Sequence, residues 1–229
     1  MGRASKLGYE FRTGVALTGD VQNDFITWMV RESFKRDTED ESSVYALAYR
    51  VVLLNFAAIT TSTIMATNAL LDIFSAANSD SLIAALREEA TTVFREHNGE
   101  WSKAAIAKLH RLDSAIRESA RVSGVGGTAM ARRVRADGGI TLPDGTWIPK
   151  NATVGVSMDG IHFDEAFYDK PLEFDAFRFS RPREESIASG EKSRVNEDLV
   201  TTSPHWLPFS HGIHAWSVNL SLFSSAVVF

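Results

Sequence analysis

The sequence predicts a mainly α-helical protein with a small β-sheet, and three observations carry this prediction. First, 44% of its 229 residues are hydrophobic and 23% are charged, as in an ordinary globular domain. Second, apolar residues recur at helical spacing, with few breakers, across residues 20–122. Third, residues 123–180 hold short β-like runs that are separated by glycine-rich turn sequences.

Composition also excludes several classes of protein. The chain has no cysteine, so it holds no disulfide framework, thiolate nucleophile, iron–sulfur cluster or cysteine-ligated zinc. Its formal net charge is −5 and it has no basic stripe, which gives no reason to expect a nucleic-acid partner. We therefore expect a globular domain without nucleic-acid binding.

Four helices are predicted in succession, each from apolar residues that share one helical face. The acidic segment 37–43 supplies capping side chains for the second helix, and the break at Asn98 and Gly99 ends the third. The predicted helices cover about residues 21–29, 43–75, 79 or 80 to 97, and 103–121.

Residues 51–71, within the second helix, form an uncharged stretch that is long enough to span a bilayer. A third of its side chains are hydroxyls or amides, and each of these needs a hydrogen-bond partner in lipid. They are Asn55, Thr60, Thr61, Ser62, Thr63, Thr67 and Asn68. We therefore predict a long core helix and no membrane span.

The second half of the chain is irregular. The glycines of residues 124–127 do not predict a phosphate loop, because they follow a helix and lack the lysine that such loops need. Beyond residue 180 the mixed charges are typical of a solvated loop. We predict one domain over residues 1–229, with a helical part (20–122), a small β or irregular part (123–180) and a loop part (181–229).

Three motifs follow one another in the second half. Glu118 and Arg121 lie three apart on a helix, so that both side chains leave the same face. Arg178 lies between two phenylalanines in FDAFRF, and PHWLPFSHGIHAW contains Phe209, Gly212 and His214. Taken alone, the Glu–Arg pair is more simply a solvated surface ion pair.

In this order the motifs resemble the C-terminal half of the cytochrome P-450 family, the haem-thiolate monooxygenases, and in particular those of filamentous fungi. The resemblance covers about residues 23–215 and begins in the middle of the family's fold. It implies a partial P-450-like fold, a haem cofactor and insertion of one oxygen atom into an apolar small molecule. It also implies an NADPH-cytochrome reductase as partner. The family is usually anchored to the endoplasmic reticulum through an N-terminal segment, and we expect this chain as it stands to be cytoplasmic.

The resemblance assigns roles to individual residues. Glu118, Arg121 and Arg178 correspond to the family's buried structural triad, in which the E-x-x-R pair locks with a later arginine. Phe209, Gly212 and His214 match the cofactor-binding loop F-x-x-G-x-(R/H)-x-C-x-G, with His214 at the haem propionate. Thr61 closes the run AAITT, which stands in place of the family's oxygen-side motif, and would deliver protons. Alternatively, the hydroxyls of residues 60–63 bond back to carbonyls one turn earlier.

The residue that carries the family's chemistry is missing. Trp216 stands where the family places its axial cysteine, and an indole N–H donates but cannot ligate iron. We therefore predict no metal ligand and expect bound haem to be doubtful. His211 and His214 are alternative ligands in the same loop. His162 is expected to be structural or at the surface, and the remaining histidines, His97, His110 and His205, show no metal-ligand spacing.

Resemblance stops abruptly at residue 215, and residues 216–229 carry no charge. A reading-frame slip or an unspliced intron gives such an ending, and a divergent ending selected for another use is the alternative. The hypothesis is a truncated P-450 monooxygenase that is inactive. The alternatives are a haem-free interaction or regulatory module on the same scaffold, or a histidine-ligated haemoprotein.

Overall fold

A computed structural model describes residues 24–35, 43–190 and 197–215 of the chain. Within these residues the α-helices are α1 (Phe25–Lys35), α2 (Val44–Ser75), α3 (Ser79–Glu96), α4 (Lys103–Ile106), α5 (His110–Val122), α6 (Met158–His162) and α7 (Arg181–Ala188). The strands are β1 (Thr128–Arg133), β2 (Ile140–Thr141), β3 (Trp147–Ile148) and β4 (Thr153–Ser157). A 3₁₀ turn, Gly212–His214, follows. The mainly α-helical fold class with few strands is as predicted.

The chain divides into two compact units between residues 60 and 61, and each is described by itself. In the first unit the side chain of Asp24 accepts the Thr27 N–H at 2.9 Å and so caps α1. Ser43 caps α2 in the same way, through the N–H of Ala46 at 3.2 Å. Val30 of α1 then packs against Leu47, at 0% and 2% exposure.

The second unit is built around α5. Its residue Ala120 packs with Met65, Tyr168, Phe179 and Trp206 in a buried cluster. On another face of α5, Ala115 packs with Ile73, Leu82 and Ala176. Helix α5 therefore contributes to two apolar clusters and places its remaining side chains between them and the later segments.

The strands form two separate two-stranded antiparallel sheets. Strand β1 pairs with β4, and the register shifts between Ala129 and Arg132, where Met130 has a φ of +53°. Strands β2 and β3 form a hairpin, whose loop places Gly145 at a φ of +88°. Strand β1 thus skips this hairpin to reach its partner.

Local details differ from the predicted helices in two places. The third helix begins at Ser79 with Asn78 as its N-cap residue, and neither Ser79 nor Asp80 caps it. The fourth predicted helix is divided into α4 and α5 by residues 107–109, and Ser102 caps α4 by accepting the Ala105 N–H at 3.1 Å. Two shorter helices replace one long one.

Helix α2 has the length that the sequence predicts but few buried side chains. It is long and apolar enough to cross a membrane, and 6% of its most apolar 18-residue window is buried. One such helix is weak evidence for a membrane span. A core role for the whole helix stays a prediction, since in the second unit its buried apolar residues are Met65, Ala69 and Ile73.

Candidate functional site

Helix α5 brings Glu118 and Arg121 together in a fully buried ion pair. The two residues are 0% and 1% exposed and lie three apart, on one face of the helix. Arg121 Nη2 donates to Glu118 Oε1 at 2.7 Å, and Arg121 Nε donates to Oε2 at 2.8 Å. This two-point geometry holds the guanidinium and the carboxylate in one plane and fixes both side chains.

Arg178 completes the cluster from a later segment of the chain. Its Nε donates to Glu118 Oε1 at 3.0 Å, so that one carboxylate serves two guanidinium groups. Arg121 Nη1 turns to backbone carbonyls and donates to His162 O at 2.6 Å and to Pro171 O at 2.7 Å. Further carbonyls that accept from the two arginines belong to Asp169, Lys170 and Glu173. The structure therefore brings all three residues of the predicted triad together.

Such a buried cluster is stable only when nearly every donor and acceptor has a partner. Here the net positive charge is spread over backbone carbonyl oxygens and an aromatic face, since the Arg121 guanidinium lies 4.9 Å from the centre of the Tyr168 ring. Burial raises the pKa of Tyr168 to about 12. Its hydroxyl stays protonated and donates to His205 O at 2.7 Å. The cluster and Tyr168 together fix the chain segments around residues 162–178 and 205.

A second buried arginine on α5, Arg117, was not singled out by the sequence. It is 3% exposed, and its guanidinium lies between the rings of Trp206, at 4.0 Å, and Phe179, at 4.6 Å. Its Nη1 donates to the carbonyls of Asp198 and Thr201. Burial lowers the pKa of Arg117 to about 10. Nothing in the sequence around it distinguishes this arginine from a surface one.

The same helix holds the 198–199 segment and the end of the aromatic-rich stretch through two shorter side chains. Asp113 Oδ2 accepts the Leu199 N–H at 2.8 Å, and burial raises the pKa of Asp113 to about 6. Ser114 Oγ accepts the N–H groups of Phe179 and Ser180, both at 3.1 Å. Side chains from Asp113 to Arg121 thus position three separate segments, which makes α5 the organising element of the site.

The loop that the sequence assigns to cofactor binding follows these segments. Phe209 is half-buried, and its ring meets that of Trp206 edge-on at 5.6 Å. Gly212 has a φ of +80°, which an L side chain rarely adopts, so glycine suits this position. The backbone of His214 lies in the 3₁₀ turn. Trp216 lies outside the described residues, and so does the side chain of His214.

Thr61 lies on α2, one turn before Met65. Residues four apart share a helix face, and Met65 packs in the cluster that includes Phe209. Thr61 is half-buried. Thr61 therefore lies on the same side of α2 as Met65, and its role in proton delivery stays a prediction.

Among the described residues, no group of three or more His, Cys, Asp or Glu side chains is placed to hold a metal ion. His211 Nδ1 and Thr202 Oγ1 lie 3.1 Å apart in a hydrogen bond. His162 is buried at 1% exposure and is therefore a structural histidine, one of the two possibilities that the sequence left open.

With this geometry in place, the chain can be compared with known proteins. The cytochrome P-450 family model matches residues 10–215. The cytochrome P-450 monooxygenase gloP of Glarea lozoyensis is 36% identical over 200 residues, which are 84% of this chain and 37% of gloP. Cytochrome P-450 monooxygenase 103 of Postia placenta is 36% identical over 86% of this chain and 36% of its own length. This chain belongs to the cytochrome P-450 family.

One further relative and one solved structure are also similar to this chain. The cytochrome P-450 monooxygenase htyF of Aspergillus rugulosus is 33% identical over 90% of this chain and 31% of htyF. A crystal structure of a cytochrome P-450 superposes with a TM-score of 0.63 at 19% identity, over 98% of this chain and 46% of that one. The chain thus spans about a third of the length of the curated relatives it matches.

The family's cofactor is haem, and the residues of this chain do not fit its thiolate ligation. The family resemblance demands a cysteine one residue after Ala215, but the chain contains no cysteine at any position. Serine, histidine and tryptophan side chains in and beside the loop supply no thiolate. The polar framework of the site is therefore present without the ligand that the framework serves in the family.

Proposed function

We propose that this chain is a cytochrome P-450 scaffold that keeps the polar framework of a monooxygenase and does not itself catalyse the monooxygenase reaction. The observation that carries this proposal is the tryptophan at position 216 in a chain without cysteine. The cluster of Glu118, Arg121 and Arg178 supports the retained scaffold, because its hydrogen bonds hold distant segments of the chain in one arrangement.

Without the thiolate, the chain lacks the iron ligand on which the family's monooxygenase reaction depends. A cysteine thiolate donates electron density to haem iron and favours cleavage of the O–O bond. The indole nitrogen of Trp216 keeps its lone pair in the ring and acts as a donor only. No other side chain of the chain replaces a thiolate in kind, because the sequence contains no cysteine at all.

On this proposal, the remaining site residues are inherited from an ancestral enzyme in which they were functional. In that enzyme an oxygen atom entered an apolar small molecule, with electrons from an NADPH-cytochrome reductase. Thr61 would deliver protons, while Phe209, Gly212 and His214 would surround the haem. In this chain the same residues persist as parts of the scaffold.

A haem-free interaction module is the second candidate, and one observation favours it. Helix α2 exposes large apolar side chains, among them Tyr45 at 82%, Phe56 at 66% and Phe74 at 63%. Exposed apolar surface of this kind is typical of contact with another protein surface. On this hypothesis the chain binds a partner and takes up no haem.

Spectroscopy of the chain with added haem tests the proposal. The purified chain is titrated with hemin, reduced and exposed to carbon monoxide, and we expect no strongly red-shifted band of thiolate ligation. Trp216→Cys and Trp216→Ser form a matched pair that differs by sulfur against oxygen. We expect the thiolate band in the cysteine variant and its absence in the serine variant.

Each outcome separates the candidates. A thiolate-type band in the unmodified chain would contradict the proposal outright. A histidine-type band would replace it with histidine-ligated haem, and variants at His211 and His214 would then identify the ligand. Failure of the unmodified chain and of Trp216→Cys to take up hemin would favour the haem-free interaction module.

A further inference from the structure

The imidazole of His162 is a buried titratable group that takes no part in the proposed function. His162 ends α6 and is 1% exposed. Its carbonyl oxygen accepts from Arg121 Nη1 at 2.6 Å, and its Nε2 lies 3.1 Å from the N–H nitrogen of Leu207. One residue thus contacts the buried ion cluster with its backbone and the start of the cofactor loop with its side chain.

The contact with Leu207 fixes the protonation state of the ring. A backbone N–H can only donate, so Nε2 of His162 must be the unprotonated, accepting nitrogen. The ring proton then lies on Nδ1 and the imidazole is neutral. Burial and the neighbouring cation of Arg121 act in the same direction, and the pKa of His162 is lowered to about 4.

Leu207 is the residue at which the loop begins. Its carbonyl accepts the Ser210 N–H at 2.8 Å and closes the turn that contains Phe209. Ser210 has a φ of +63°, so the turn is held in a sparsely populated backbone conformation. The side chain of Leu207 is 1% exposed and packs against Ala129. His162 therefore bonds to the first residue of a turn whose own conformation needs support.

We infer that His162 is a positioning residue: its neutral, Nδ1-protonated imidazole ties the start of the loop at Leu207 to the Glu118–Arg121–Arg178 cluster. Since no step of this inference involves haem, it does not rest on the proposed function. The cluster thereby positions the loop, because Arg121 holds the His162 backbone and the His162 ring holds Leu207. The start of the loop is then held at a fixed position relative to the cluster without any cofactor.

Two measurements test this assignment in the full chain. Long-range ¹H–¹⁵N correlation spectra report which ring nitrogen of His162 is protonated, and we expect Nδ1. Hydrogen exchange of the Leu207 and Ser210 amides reports the loop contact. In His162→Gln the side-chain oxygen reaches the place of Nε2, so Leu207 keeps its protection. We expect about tenfold faster exchange in His162→Asn, whose oxygen falls short, and in His162→Phe, which has no acceptor.

One variant serves as a control, and two results would overturn the inference. His205→Gln changes an exposed histidine two residues from Leu207 and should leave the exchange of Leu207 unchanged. The inference is overturned if the Phe variant protects Leu207 as well as the Gln variant does, since the ring would then only fill space. A proton on Nε2 in the unmodified chain would overturn it without any variant. Loss of hemin binding in the same samples would bear only on the proposed function.

Discussion

Helices α5 and α2 reverse the usual relation between composition and burial. Helix α5 buries charged and polar side chains, with Arg117, Glu118 and Arg121 at 3% exposure or less. Helix α2 is rich in apolar residues, yet 6% of its most apolar window is buried. The difference teaches that burial here follows the availability of partners. The buried Glu118 meets two guanidinium groups, and the buried Arg117 and Arg121 meet carbonyl oxygens and aromatic rings.

The sharpest test of this contrast compares two bidentate Arg–Glu pairs, one buried and one exposed. Glu118→Ala leaves Arg121 and Arg178 without their carboxylate, and we expect a loss of about 3–5 kcal/mol in the free energy of unfolding. The matched control is Glu184→Ala, which breaks the pair with Arg111, whose side chains are 36% and 40% exposed. We expect the control to cost less than about 1 kcal/mol.

Urea denaturation measured by circular dichroism gives both values in one experiment. Equal losses in the two variants would show that burial does not set the value of the pair. A small loss in Glu118→Ala would mean that water or another acceptor replaces the carboxylate in the cluster. In either case the contrast between α5 and α2 would no longer rest on partnered charge.

The next test uses pH to separate one buried group from its surroundings. The folded pKa of His162 is about 4 and lies below the ordinary value of 6.5. The unfolded chain therefore binds this proton first, and the stabilising contribution is complete above pH 6.5 and is lost as the pH falls through about 4. From neutral pH to pH 4, we expect unmodified chain to lose about 3 kcal/mol relative to His162→Gln.

Asp113 titrates in the opposite sense, and the comparison cancels its effect. Its folded pKa is raised to about 6, so its contribution is complete below pH 3.8 and is lost as the pH rises through 6. Because both proteins contain Asp113, thermal unfolding followed as a function of pH isolates the difference at His162. Parallel pH profiles for the two proteins would contradict the buried, neutral state of the ring.

How far sequence reasoning reaches depends on where the partners of a residue lie. Helical spacing puts Glu118 and Arg121 on one face, but only the resemblance to the cytochrome P-450 family indicates that the pair is buried. Neither the burial of Arg117 nor the partner of His162 could be found, since these residues bond to backbone groups of Asp198, Thr201 and Leu207. A backbone acceptor or donor leaves no residue-type signature in the sequence.

The exposure of α2 escaped the sequence for a related reason. Apolar composition predicts a core helix, but a helix is buried only where another element covers it. The small β-sheet is predicted, but its division into two sheets is not, because the pairing of β1 with β4 skips the hairpin between them. Both features depend on contacts between distant segments, which local periodicity does not encode.

A smaller effect is expected at Arg117, where the charge is held by carbonyls and rings instead of a carboxylate. Arg117→Met removes the bonds to Asp198 and Thr201 and the stacking on Trp206, and we expect a loss of about 2 kcal/mol. Arg87→Met, on the exposed face of α3, is the matched control and should change the free energy of unfolding by less than about 0.5 kcal/mol. Similar values for both variants in urea denaturation would mean that the stacked arrangement contributes nothing.

The smallest change in stability is expected on α2, at two neighbouring residues with opposite environments. Phe74 is 63% exposed, and Phe74→Ser should change the free energy of unfolding by less than about 0.5 kcal/mol while it lowers aggregation. Ile73, at 7% exposure, packs against Leu82 and Ala115, so Ile73→Ala serves as the positive control and should cost about 2–4 kcal/mol. Denaturation and light scattering of the two variants separate folding from association. A large loss of stability in Phe74→Ser would mean that this ring is covered in solution, and the apolar surface of α2 would then be a contact surface rather than a free one.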